Sequence, residues 1–83
     1  VYQLKVLPSA QRDLDSLDSP LFERIKSKLL ELRQDPRPIG IVKLTNEEGY
    51  RVRIGNYRAL YRIDDRNKLI YLYRIKHRKE VYR

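Results

Sequence analysis

Tyr50-Arg51-Val52-Arg53-Ile54-Gly55-Asn56-Tyr57-Arg58-Ala59-Leu60-Tyr61-Arg62-Ile63 alternates side-chain character about a central Gly-Asn pair. Successive side chains of a strand point to opposite faces, and a Gly-Asn step suits a tight reversal, so the stretch reads as two antiparallel strands. A second polar turn, Asp64-Asp65-Arg66-Asn67-Lys68, leads into Leu69-Ile70-Tyr71-Leu72-Tyr73-Arg74-Ile75 and extends the hairpin to a three-stranded meander. Strict alternation puts Val52, Ile54, Ala59, Tyr61, Ile63, Tyr71, Tyr73 and Ile75 on the face suited to a core, with Tyr61 and Tyr71 expected as core aromatics. The opposite face would carry Arg51, Arg53, Arg58, Leu60, Arg62, Ile70, Leu72 and Arg74, apolar patches mixed with arginines. That mixed face is the expected working surface.

Before the meander, Tyr2-Gln3-Leu4-Lys5-Val6-Leu7 alternates as a short strand, and Pro8, which cannot donate to a sheet ladder, ends it. Ser9 is the expected cap of a first helix running to about Leu17, with Ala10, Leu14 and Leu17 on one face. Ser19-Pro20 starts a second helix, with Ser19 as the expected cap and Leu21, Phe22, Ile25, Leu29 and Leu32 at helical spacing. Asp35-Pro36-Arg37-Pro38 disfavours its continuation beyond Gln34. Ile41-Val42 is compatible with an edge strand or with a loop fastened to the core, and Thr45 to Gly49 with an exposed turn. The fold class is α+β: an N-terminal strand, a two-helix hairpin and an antiparallel sheet with the helices on one face. Residues 1–83 are expected to form one domain.

The formal charge of +8 is distributed unevenly. Residues 1–50 hold eight Lys/Arg and eight Asp/Glu, whereas residues 51–83 hold eleven Lys/Arg against three acids. Polyanions, nucleic acid first among them, are the expected partners of a sheet and tail so biased. The chain contains no Cys and one His, a poor donor set for a protein-held transition metal, and no cofactor is expected. No apolar run approaches the roughly 20 residues of a spanning helix, and the start does not read as a signal peptide. Neither a membrane partner nor secretion is expected, and the location expected is cytoplasmic.

Within the basic half, Arg51 and Arg53 share one side of a strand, Arg58 lies just past the tight turn, and Arg78 follows the last strand. A guanidinium presents a rigid fork of donors that matches phosphate oxygens, so such a cluster can bind a phosphodiester and stabilise charge that develops on it. Lys76 can add charge, while Tyr57, Tyr73 or Tyr82 can contribute base stacking or hydroxyl contacts. His77 is open to three readings: proton transfer, phosphate binding or structural packing.

Three words in particular, Tyr50 to Arg58, Tyr61-Arg62-Ile63-Asp64, and Ile75-Lys76-His77-Arg78-Lys79-Glu80-Val81-Tyr82, closely resemble the RelE/ParE superfamily of toxins from bacterial and archaeal toxin–antitoxin systems. The resemblance covers nearly the whole chain. It implies a ribosome-dependent messenger RNA endonuclease, silenced by a cognate antitoxin. The reaction implied is metal-independent attack of a ribose 2′-hydroxyl on its own phosphate, leaving a 2′,3′-cyclic phosphate and a 5′-hydroxyl. Carried over residue by residue, Arg53 and Arg58 hold the scissile phosphate and Arg51 helps to place the RNA. Arg78 stabilises the departing oxygen, Tyr82 positions a base or sugar, and His77 or Tyr82 serves in proton transfer. Arg53 stands where some relatives carry a lysine proposed as general base, and arginine is a poor proton acceptor near neutrality. That departure keeps ParE-like inhibition of DNA gyrase, or noncatalytic nucleic-acid binding, as the alternative.

Overall fold

A computed structural model describes residues 1–81. The order is β1 (Gln3–Val6), α1 (Pro8–Asp15), α2 (Ser19–Leu32), β2 (Val42–Lys43), β3 (Tyr50–Ile54), β4 (Tyr57–Asp64), β5 (Leu69–His77) and α3 (Arg78–Val81). The five strands form one sheet in the order β1-β5-β4-β3-β2. β2 to β5 pair antiparallel, and β1 adds to the outer side of β5 in parallel, Gln3 opposite Leu69 and Val6 opposite Leu72. The expected α+β architecture is present, with the parallel β1 making the sheet mixed. The undecided Ile41-Val42 region supplies the two-residue edge strand β2.

One face of the sheet carries the core. Ile25, Leu29 and Leu32 of α2 and Ala10 and Leu14 of α1 are buried with Val52, Ile54, Ala59, Tyr61, Ile70, Leu72 and Ile75. Burying each large aliphatic side chain contributes roughly 1.5–3 kcal/mol, so this shared layer holds the helices to the sheet. Tyr61, fully buried, donates its hydroxyl to the Pro36 carbonyl at 2.7 Å and fastens the segment after α2 to the sheet. That burial pushes the Tyr61 phenol well above its ordinary value.

The sheet departs from strict alternation on β5. Leu60 pairs with Arg74 but Tyr61 pairs with Leu72, so Tyr73 and Arg74 together oppose a single residue of β4. This bulge reverses the side-chain phase. Ile70 and Leu72 therefore enter the core alongside Ile75, while Tyr71 and Tyr73 do not, contrary to the alternation expected from the sequence. Tyr73 lies instead beneath the Arg62 guanidinium, 5.3 Å from its ring centre.

α1 runs along the part of β5 that β1 is too short to cover. Ser9 Oγ donates to the Tyr73 carbonyl at 2.7 Å, and an Asp13 carboxylate oxygen accepts from the Ile75 amide at 2.8 Å and from Arg74 Nε at 2.9 Å. An open strand edge is thereby satisfied by a helix. Ser9 thus does not cap α1, whose flanking residue Leu7 makes no side-chain cap. The cap of α2 is also one residue earlier than expected: the Asp18 carboxylate, and not Ser19, accepts from the Leu21 amide at 3.0 Å.

Candidate functional site

At the end of the sheet where β3 turns into β4, the two-residue turn Gly55-Asn56 sets Ile54 opposite Tyr57 and Arg53 opposite Arg58. Gly55 has φ +61, a conformation that a side chain strains. A Cβ there would also approach Arg24 Nη2 of α2 to 3.1 Å, so Arg24 lies over the turn. The next rung sets Arg58 opposite Lys76 of β5, giving three basic residues side by side across three strands on the face away from the core.

Arg58 is only 7% exposed, the one buried charged side chain among the described residues. Its Nη1 donates to the Gly55 and Tyr57 carbonyls at 3.2 and 3.0 Å, and neither carboxylate ion pair of the described residues includes it. Arg53 is exposed and its Nε reaches the same Gly55 carbonyl at 3.4 Å. A buried cation held only by carbonyl dipoles is costly, and an anion arriving beside it relieves that cost.

α3 completes the wall. The Arg78 amide donates to the Asn56 carbonyl at 2.7 Å, which ties the start of α3 to the β3–β4 turn. As a result Arg53, Arg58, Arg78 and Lys79 line a cleft of about 540 Å³ to which no carboxylate contributes among the described residues. A second cleft of about 410 Å³, near the 44–49 loop, mixes Arg37, Lys43 and Arg62 with Glu47 and Glu48 and has no such single-sign field.

The structure brings Arg53, Arg58 and Arg78 of the sequence-based set into one cleft and adds Lys76 beside Arg58 in register. Arg51 shares their face one rung away, opposite Leu60, and is half-buried. Tyr57 and His77 pair with each other on the opposite phase of the sheet, the phase of buried Ile54, with their rings 5.2 Å apart in a T-shaped contact. Tyr57 packs against the core. Tyr82 lies outside the described residues. Lys79 and Arg24 were not singled out by sequence reasoning. Lys79 belongs to the basic run after β5, which could have signalled it; Arg24 gives no local signal, because its placement depends on how α2 crosses the sheet.

Among the described residues no group of three or more His, Cys, Asp or Glu side chains could hold a metal ion, and no helix is long and apolar enough to cross a membrane. Residues 4–82 match the family described as ParE toxin of type II toxin–antitoxin system, parDE, and the chain belongs to this RelE/ParE group of toxins. It is 30% identical over 84 residues to toxin RelG of Mycobacterium tuberculosis, a match that covers 99% of this chain and 97% of the relative. Among solved structures it superposes on a chain of the M. tuberculosis RelBE2 toxin–antitoxin complex with a TM-score of 0.83 and 28% identity, covering 92% and 96% of the two chains. The isolated Escherichia coli RelE toxin gives a TM-score of 0.81 with 26% identity, covering 99% and 92%.

Proposed function

We propose that this toxin is a ribosome-dependent messenger RNA endonuclease whose active surface is the cleft between the β3–β4 turn and α3. The observation that carries this reading is the buried Arg58, without a carboxylate partner among the described residues, in a cleft whose other described lining residues are all cations. Such a surface matches a phosphodiester, which is always anionic and gains charge as a ribose 2′-hydroxyl attacks it. Arg58, immobilised by two carbonyls, is suited to hold the scissile phosphate without reorganising during reaction. The more exposed Arg53 and Lys76 flank it, and Arg51 extends the track for RNA placement. Arg78 is assigned to the departing 5′-oxygen. The products are a 2′,3′-cyclic phosphate and a 5′-hydroxyl.

Proton transfer is the less furnished part of the reaction. Arg53 is a weak candidate base, since guanidinium does not deprotonate near neutrality. Tyr82 remains a candidate for proton transfer or for holding a base or sugar. His77 is less suited, because its Nδ1 already accepts the Lys79 amide at 3.2 Å. A cognate antitoxin is the proposed partner: the M. tuberculosis and Pyrococcus horikoshii relatives are RelE-type toxins solved in complexes with antitoxins, and a cleft of unopposed cations would accept an acidic chain.

The test is primer-extension mapping of a translated messenger RNA incubated with purified toxin, with and without programmed ribosomes. Cuts that require ribosomes and are lost in Arg58→Ala support the reading; no cuts in either condition overturn it. The match to the ParE family description keeps gyrase inhibition as the second reading, and a supercoiling assay separates it.

A further inference from the structure

α3 is four residues long, far too short to persist by its own hydrogen bonds, yet it carries Arg78 and Lys79 into the cleft. Among the described residues, two hydrogen bonds hold its first turn. One is the Arg78 amide on the Asn56 carbonyl at 2.7 Å; the other is the Lys79 amide on His77 Nδ1 at 3.2 Å. His77 immediately precedes the helix and its side chain accepts from the second helical amide, which is the geometry of a capping residue, with a ring nitrogen in the role usually taken by a Ser or Asp oxygen.

A backbone amide can only donate, so Nδ1 must present a lone pair, and the ring hydrogen then sits on Nε2. The only lone pair through which this tautomer can take a proton is the one already engaged by Lys79. Tyr57, fixed against the core, meets the imidazole in a T-shaped contact and resists its rotation away from α3. We infer that His77 is a positioning residue: neutral and hydrogenated at Nε2, it caps α3 and thereby sets Arg78 and Lys79 in the cleft, exchanging no proton with RNA. The inference deepens the endonuclease reading and rests on it for its kinetic consequence, but the capping itself is independent of any activity.

Three substitutions separate capping from proton transfer. Asn places its side-chain oxygen close to the position of Nδ1 and can accept the Lys79 amide, but it has no acid–base group that gains or loses a proton near neutral pH. Gln extends its amide toward the position of Nε2, and Ala offers no acceptor. His77→Ala and His77→Gln are expected to lower ribosome-dependent cleavage about tenfold, in the range that loss of a helix cap supports. His77→Asn is expected to recover most of that loss. His77→Asn as inactive as His77→Ala would overturn the assignment in favour of proton transfer.

NMR on the unmodified toxin decides the matter even if no variant, nor the parent, cleaves RNA. The imidazole nitrogen spectrum is expected to show the hydrogen on Nε2, and the Lys79 amide to be protected from exchange in the parent and His77→Asn but not in His77→Ala. A hydrogen on Nδ1, or a Lys79 amide equally unprotected in the parent and His77→Ala, overturns the inference. A capped α3 in a protein that leaves RNA intact would instead retain the inference and remove the endonuclease reading.

Discussion

The two ends of the sheet treat their arginines differently. Around the β4–β5 turn, Arg37 forms a double hydrogen bond with Asp65 at 2.9 and 3.2 Å and also reaches the Tyr50 hydroxyl at 3.1 Å. Asp65 accepts the Tyr2 hydroxyl at 2.6 Å as well, and Lys68 lies 4.9 Å from the centre of the Tyr2 ring. Each of these cations has an acid or an aromatic face, and together they latch the N-terminus and the post-α2 segment to the sheet. At the β3–β4 end, Arg53 and Arg58 lean on backbone carbonyls, and no acid lines their cleft among the described residues. Charge is spent on architecture at the first end and left available for a ligand at the second, even though both sets of residues are of the same type.

Arg58→Ala is the sharpest way to break this contrast. Removing one preorganised charge-stabilising donor set typically costs about 10²–10³ in rate, and that loss is expected in ribosome-dependent cleavage. Because Arg58 has no carboxylate to orphan among the described residues, an Arg58→Met protein is expected to be as stable as the parent, or more so, by denaturant midpoint. Severe destabilisation of Arg58→Met would mean that the cleft arginine is structural after all. Tyr61→Phe should do the converse, leaving the Pro36 carbonyl buried without its donor at a cost of roughly 1–3 kcal/mol in stability, with cleavage by the folded fraction unchanged.

Asp13→Ala removes the acceptor shared by Arg74 Nε and the Ile75 amide. About 1–2 kcal/mol of stability is expected to go with it, read from urea unfolding, and the amide of Ile75 should exchange faster. The smallest effect belongs to Asp65. Hydrogen bonds from Arg37 first, then Tyr2, hold its carboxyl down from 3.8 to about 2. A depressed carboxyl stabilises the fold above its unfolded value, so the contribution is present above about pH 4 and lost as pH falls through about 2. Asp65→Asn should therefore be slightly less stable than the parent near neutrality, with the difference closing across that window; a constant difference would show that the latch does not act through the ionised carboxylate.

Much of this was legible in the residues because local rules decide it. A two-residue turn at Gly55-Asn56 dictates that Arg53 faces Arg58, and helical spacing picked out Ile25, Leu29 and Leu32. What was not legible depends on partners distant in the chain. The bulge that exchanges Tyr71 and Tyr73 for Ile70 and Leu72 leaves only an odd spacing between Leu72 and Ile75 as its trace. Ser9 has the chemistry of a cap, but a strand carbonyl 64 residues away claims its hydroxyl. The cleft itself required the link from Arg78 to Asn56, a backbone contact to which no side chain testifies.

The parallel pairing of β1 with β5 has a kinetic consequence. Gln3 must wait for Leu69 before its ladder can close, and β5, the strand made last, lies between β1 and β4 in the finished sheet. Pairings so far apart in sequence close loops that are entropically expensive, so β3, β4 and β5 should nucleate and β1 dock onto them. During synthesis this order delays completion of the sheet until β5 has emerged, and α3, which carries Arg78 and Lys79, follows the described strands. A nascent copy therefore gathers the cations of this cleft only once β5 has paired and α3 has followed it.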